Sequence, residues 1–223
     1  MSETVGRRRL HVLIEAPDIP EPWWPLVAEV AEVADADAVA DPWPASPGEV
    51  DVAQAILGRI GDHLALVLPG PDAVADSTPV HLRHLLVPVD RSPEERAVLD
   101  PLVERAHELG LAVGRLHVLT TRTFPIIWEG AGHHAEAWLD ELRRREHVEE
   151  DDLTVASGDP AGEIRRAGRR SDLIVLCWQG DASAGRARIV RDVLVGVRPP
   201  LLLISTGLHG TERAPLADAS QGR

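Results

Sequence analysis

The stretch His84–Gly110, HLLVPVDRSPEERAVLDPLVERAHELG, decides the fold. It opens with a nearly unbroken apolar run closed by Asp90, the pattern of a parallel strand buried on both faces. Ser92-Pro93-Glu94-Glu95 then supplies an N-cap, a proline at the first helical position and a glutamate three residues beyond the cap. Val98, Leu99, Leu102, Val103, Ala106 and Leu109 fall on one helical face, and Gly110 ends the helix. Pro101 lies inside it and is expected to kink it.

Downstream the same alternation continues. Leu111–Leu119 (LAVGRLHVL) reads as a second strand, followed after a longer loop by a helix at about His133–His147. Asp152–Ser157 is a third strand, and Asp159-Pro160 opens a helix carrying Ile164. Asp172–Trp178 is a fourth strand. Ile189, Val190, Val193, Leu194 and Val197 mark a further amphipathic helix, and Leu201–Ser205 is a fifth strand. Strands alternating with helices at this spacing imply right-handed crossovers and a doubly wound, Rossmann-like α/β domain with a parallel sheet. The segment from about Gly207 to Arg223 is small and polar, and is expected to be a disordered tail.

Upstream the plan recurs in shortened form. Leu10–Asp18 resembles the strand at His84–Asp90, Trp24–Val33 and Val50–Ile60 read as helices, and Asp62–Gly70 repeats the frame of Asp172–Gly180. After Gly70 only PDAVADST precedes Pro79, which leaves no room for a last helix and strand. The chain therefore divides into residues 1–78, a truncated β/α repeat, residues 79–206, a complete domain, and the tail 207–223. The alternative, that two parallel strands look alike whatever their origin, stays open at this point.

Composition narrows the chemistry. All 23 basic residues are arginine, so the chain has no lysine for a Schiff base or a phosphate-binding P-loop. Six Trp, one Phe and no Tyr accompany this, a bias that reads as GC-rich coding. A net charge of −13 argues against nucleic acid or an anionic membrane as the main partner. The apolar run in MSETVGRRRLHVLIEAPD is too short for a signal peptide or a membrane span. Cys177, the lone cysteine, sits in an apolar run and reads as a buried thiol in a reducing compartment, the cytoplasm. His133 and His134 are adjacent and point apart on a helix, which leaves a His133, Glu136, Asp140 stripe as a poor metal candidate. No nucleophile–base pairing is legible, so no catalytic residue and no enzymatic activity are expected.

Three segments together resemble the universal stress protein family. Leu86-Val87-Pro88-Val89-Asp90-Arg91-Ser92-Pro93-Glu94 is similar to its opening strand and turn, and Leu116-His117-Val118-Leu119 to its second strand. Gly158-Asp159-Pro160-Ala161-Gly162-Glu163-Ile164 followed by Ser171-Asp172-Leu173-Ile174-Val175 resembles its third helix and fourth strand. The resemblance implies a sheet ordered 3-2-1-4-5 and a crevice for ATP or another adenine nucleotide at the carboxyl ends of the strands. It implies Pro88, Asp90 and the backbone near Val118 as adenine and ribose contacts, Gly158 beside the sugar, and phosphates in the loop from Gly180. Here the chain departs from the pattern of ATP-binding members: Gly180-Asp181-Ala182-Ser183-Ala184-Gly185-Arg186-Ala187-Arg188 is shorter, has Ser183 for the second glycine, and puts Ala187-Arg188 where Gly-Ser or Gly-Thr belongs. Such a loop lacks part of the N–H cradle and adds the charge of Asp181, while Arg186 and Arg188 could grip phosphate instead.

Structural readings compete at several of these positions. Asp90 can cap the turn before Ser92 as well as meet a ligand, and Gly158-Asp159-Pro160 starts a helix with no ligand at all. Arg143-Arg144-Arg145 reads as a solvated face, and Arg165, Arg166, Arg169 and Arg170 as a solvated face or a site for an acidic partner. Phe124, Ile126, Ile127 and Trp128 make the loop Thr120–Gly132 a core cover, an interface or a lid. The expected function is non-enzymatic ligand binding with stress-linked regulation. The alternatives are an interaction module with a vestigial pocket and a weak ATPase. A homodimer through Leu201–Ser205 is expected, because this run has no visible partner within the chain; the competing outcome is that the N-terminal unit folds over this edge and the chain stays monomeric.

Overall fold

The computed structural model describes residues 8–14, 18–42, 64–69, 78–89, 92–119, 153–178, 186–196 and 198–206. Its elements are β1 (Arg8–Ile14), a short 3-10 turn at Glu21–Trp23, α1 (Trp24–Val33), β2 (Ala36–Pro42), β3 (Leu64–Val67), β4 (His84–Pro88), α2 (Pro93–Glu108), β5 (Ala112–Leu119), β6 (Leu153–Ser157), α3 (Pro160–Gly168), β7 (Leu173–Trp178), α4 (Arg186–Leu194) and β8 (Leu201–Ser205). The helices expected near residues 50–60 and 133–147, the loop Thr120–Gly132 and the tail 207–223 lie outside the described residues.

Among the described residues, eight strands join in one sheet, ordered β2-β1-β3-β8-β7-β4-β5-β6. Within the second half, β4 through β8 run parallel to one another and lie in the spatial order 3-2-1-4-5. The first half contributes β2-β1-β3, also mutually parallel. The two groups run in opposite directions and meet where β3 pairs antiparallel with β8, Leu64 opposite Ile204 and Val67 opposite Leu201.

That joint corrects the route expected for a homodimer, and is the competing outcome in which the N-terminal unit covers the strand. The strand Leu201–Ser205 is not an edge: β7 occupies one side and β3 the other. Its backbone groups are already paired and Leu201, Leu202 and Leu203 are fully buried, so a second chain cannot add to it.

Alternating side chains divide the core into two layers. Leu10, Val12, Leu66, Leu85, Val87, Val175 and Leu202 face α1 and α2. Leu13, Leu86, Ile174, Leu176 and Leu203 face α3 and α4. Each fully buried leucine adds about 1.5–3 kcal/mol, so the joint strands are the most densely stabilised part of the sheet. The α2 helix begins as the sequence dictates, with Ser92 Oγ accepting the Glu95 N–H at 3.2 Å, and buries Val98, Leu99, Leu102, Val103 and Ala106. It continues through Pro101, which stands on the exposed side where the missing N–H faces away from the core.

Polar clasps tie the halves together. Glu29 on α1 accepts the Leu82 N–H at 2.6 Å and the His81 Nδ1 hydrogen at 2.8 Å, and Val80 N–H donates to the Pro22 carbonyl at 2.8 Å. Arg105 on α2 reaches Glu32 on α1 at 3.6 Å and Glu108 at 2.9 Å; the Glu108 hydrogen bond raises the guanidinium pKa. The strand β2, ADAVADP, has no counterpart in the sequence reading. It forms at the sheet's outer margin beside β1, with the Asp41 carboxylate paired to His11, and its charged Asp37 and Asp41 discourage strand addition from solvent.

Candidate functional site

The carboxyl ends of β4, β5, β6, β7 and β8 lie along one edge of the sheet. Register aligns Pro88 with Leu116, Leu119 with Ser157, and Trp178 with Ser205. The strand β4 has β5 on one side and β7 on the other; α2, which follows β4, packs on one face of the sheet, and α3, which leads into β7, on the other. Such a reversal leaves a crevice outside the strand ends that neither crossover fills.

Several predicted site residues stand on this edge. Pro88 is the last residue of β4 and is half-buried; Val118, also half-buried, precedes the end of β5 and packs on the α3–α4 layer. Gly158 directly follows β6, exposed, with its N–H donating to the Leu119 carbonyl at 3.1 Å. Asp159 caps α3 through its carboxylate, which accepts the Gly162 N–H at 2.9 Å. Arg186 opens α4. The Arg188 side chain is 77% exposed and its guanidinium approaches Asp192 at 3.5 Å along the same helix. Asp90, Gly180, Ser183 and Gly185 lie outside the described residues.

Sequence reasoning overlooked His117. This imidazole is buried in β5, and its Nδ1–H donates to the Val89 carbonyl at 3.0 Å, while the Val89 N–H donates to the Leu116 carbonyl at 2.9 Å. The residue before Asp90 is thereby fastened on both polar groups to β5. The available signal was a histidine inside the apolar run Leu116–Leu119, which demands a buried partner. Trp178 was missed likewise. Its ring is 4% exposed at the end of β7, and its indole N–H has no acceptor among the described residues. Behind α2, Glu95, Arg96, Asp100 and Arg115 line a cavity of about 10 Å³, room for one water and not for a nucleotide. No group of three or more His, Cys, Asp or Glu among the described residues is arranged to hold a metal ion.

The conformation of Gly158 carries a prediction. Its φ is +144°, a region that L side chains rarely adopt, whereas an added Cβ has room, the nearest atom being Glu163 Oε1 at 3.7 Å. The cost of Gly158→Ala is therefore conformational, about 1–2 kcal/mol, and should appear as a lower denaturation midpoint in urea with an unchanged slope. A midpoint equal to that of the parent chain would show that this turn relaxes freely.

Residues 81–196, more than half of the chain, match the sequence model of the universal stress protein family. The chain belongs to the universal stress protein family. Among solved structures, the fold is shared with a functionally unknown protein from Pseudomonas aeruginosa PAO1, at 12% identity and a TM-score of 0.52, over 88% of this chain and 82% of that one. A universal stress protein from Archaeoglobus fulgidus DSM 4304 aligns at 15% identity and a TM-score of 0.46, over 90% and 86%. A universal stress protein in complex with cAMP aligns at 14% identity and a TM-score of 0.39, over 56% and 98%. No curated protein matches the chain. Among the described residues of this universal stress protein, no helix is long and apolar enough to cross a membrane.

Proposed function

We propose that this universal stress protein is a non-enzymatic, cytoplasmic binding protein for a small ligand of the adenine-nucleotide class, and that ligand occupancy serves stress-linked regulation. One observation carries the reading: in a chain of this family, β4 stands between β5 and β7 with helices on opposite faces, so the crevice lies beside Pro88, Val118 and Gly158. The double anchoring of Val89 supports it, because it holds the exit toward Asp90 in one position. The phosphate end is the weak part. The segment Gly180–Arg188 lacks the Gly-Ser element, and the Arg188 side chain is engaged with Asp192 on the solvent side. We therefore assign the specificity to the base and sugar, with Arg186 left as the phosphate contact. We also propose that residues 1–78 are a shortened copy of the domain at 79–206: the order β2-β1-β3 repeats the order of the second, first and fourth strands of the complete domain.

Calorimetric titration tests the ligand and its site together. ATP should bind weakly, in the high-micromolar range or above, and Asp90→Ala should remove that binding. Submicromolar ATP affinity that survives Asp90→Ala would refute both the degraded phosphate loop and the placement of the crevice.

A further inference from the structure

The arginines of the second half are distributed in a way the crevice does not explain. Residues 159–198 carry eight arginines against five acidic residues, a balance of +3, while the remainder of the chain holds −16. Helices α3 and α4 pack side by side and gather these charges on one layer. Some are spent internally. Arg165 Nη1–H donates to the Asp192 carbonyl at 3.1 Å, across Gly196, and Arg166 pairs with Glu163. Arg169, Arg170 and Arg198 are exposed and have no carboxylate partner among the described residues.

These three belong to one piece of surface. Gly168, the residue before Arg169, lies against Pro199, the residue after Arg198. Gly196 sits against the Arg165 side chain, and beside it Val195 is 82% exposed, the most exposed large aliphatic residue described. The patch thus combines unpaired guanidinium groups with an apolar knob, at the amino end of β7 and β8 and at the opposite end of the sheet from the crevice. We infer that the surface formed by Arg169, Arg170, Arg198 and Val195 docks an acidic protein segment with an aliphatic side chain among its carboxylates. Guanidinium groups bind carboxylates bidentately, and opposite charge both steers the encounter and sets specificity. The charge of −16 on the rest of the chain repels a long polyanion, which favours a short acidic peptide over nucleic acid. This inference does not rest on the nucleotide reading.

The test uses the full chain and a fluorescein-labelled 12-residue peptide of alternating Glu and Asp with a central Leu pair, followed by anisotropy. Binding is expected at low ionic strength and should weaken steeply as added salt shortens the screening length. Arg169→Ser/Arg170→Ser/Arg198→Ser should lower affinity about tenfold or more, and Val195→Ser by about threefold. Arg8→Ser/Arg9→Ser/Arg105→Ser changes the net charge equally at exposed sites on β1 and on the α1–α2 face and should leave affinity within about twofold. Circular dichroism checks that each variant is folded. No binding, or equal loss in both triple variants, overturns the inference. So does a single-stranded 12-nucleotide DNA binding as tightly as the peptide, or a doubled mass in light scattering that the first triple variant abolishes, since these would assign the patch to nucleic acid or to a second copy of the chain.

Discussion

Leu203→Pro is expected to abolish the cooperative unfolding transition of the whole chain. Leu203 is fully buried, opposite Leu176 on β7 and Ala65 on β3. Proline removes a ladder N–H, leaves its acceptor buried without a donor at a cost of about 1–3 kcal/mol, and brings its ring against the neighbouring strand. Losing the leucine side chain from the core costs about 2–3 kcal/mol besides. Together these rival the roughly 5–15 kcal/mol that holds a domain folded. Because β8 joins the two strand groups, both should melt together. Far-ultraviolet circular dichroism in urea and light scattering read the result. A variant that keeps its fold and changes only its mass would mean that β8 is an exposed edge, as the sequence had suggested, and would contradict the β3–β8 joint.

Gly168→Ala should destabilise the chain by roughly 1–3 kcal/mol, although helix propensity alone favours alanine by about 1 kcal/mol. The last residue of α3 lies so close to β7 that a Cβ would stand 2.3 Å from Ile174 Cδ1 and 3.1 Å from its Cγ1, and Ile174 has no exposed surface into which to move. The interaction can be isolated by a double-mutant cycle. Ile174→Val alone should cost about 1 kcal/mol by removing the Cδ1 methyl, yet in the Gly168→Ala background it should be neutral or stabilising, because the same methyl is the obstacle. Additive effects in the cycle would show that α3 simply moves away from the sheet.

Much of this protein is written in short segments. Ser92 and Asp159 cap their helices, Gly110 ends α2, and the apolar runs at His84–Pro88, Leu173–Trp178 and Leu201–Ser205 are buried strands, because caps and hydrophobic periodicity act over a few residues. Handedness of the crossovers makes the second half parallel, while the strand order and the placing of Pro88, Val118 and Gly158 at one edge came from the resemblance to the universal stress proteins. Other features depend on contacts between distant residues. Ala36–Pro42 has poor strand propensity and becomes β2 only because β1 offers it a ladder. His117 anchors the end of β4 only because the Val89 carbonyl lies within reach of its ring.

Local sequence determined the apolar strands, the capped helices and their ends; the tertiary structure alone made a strand of Ala36–Pro42 and decided which edges meet. Nothing in Leu64–Val67 or Leu201–Ser205 announces that they will pair, nor in which direction, since both are apolar runs that suit any neighbour. Likewise a sequence lists arginines, while only packing shows that Arg165 and Arg166 are engaged and that Arg169, Arg170 and Arg198 remain for a partner. The physical reason is the same in both cases: hydrogen-bond and charge satisfaction are properties of pairs of groups, and pairs far apart in the chain exist only after it has folded.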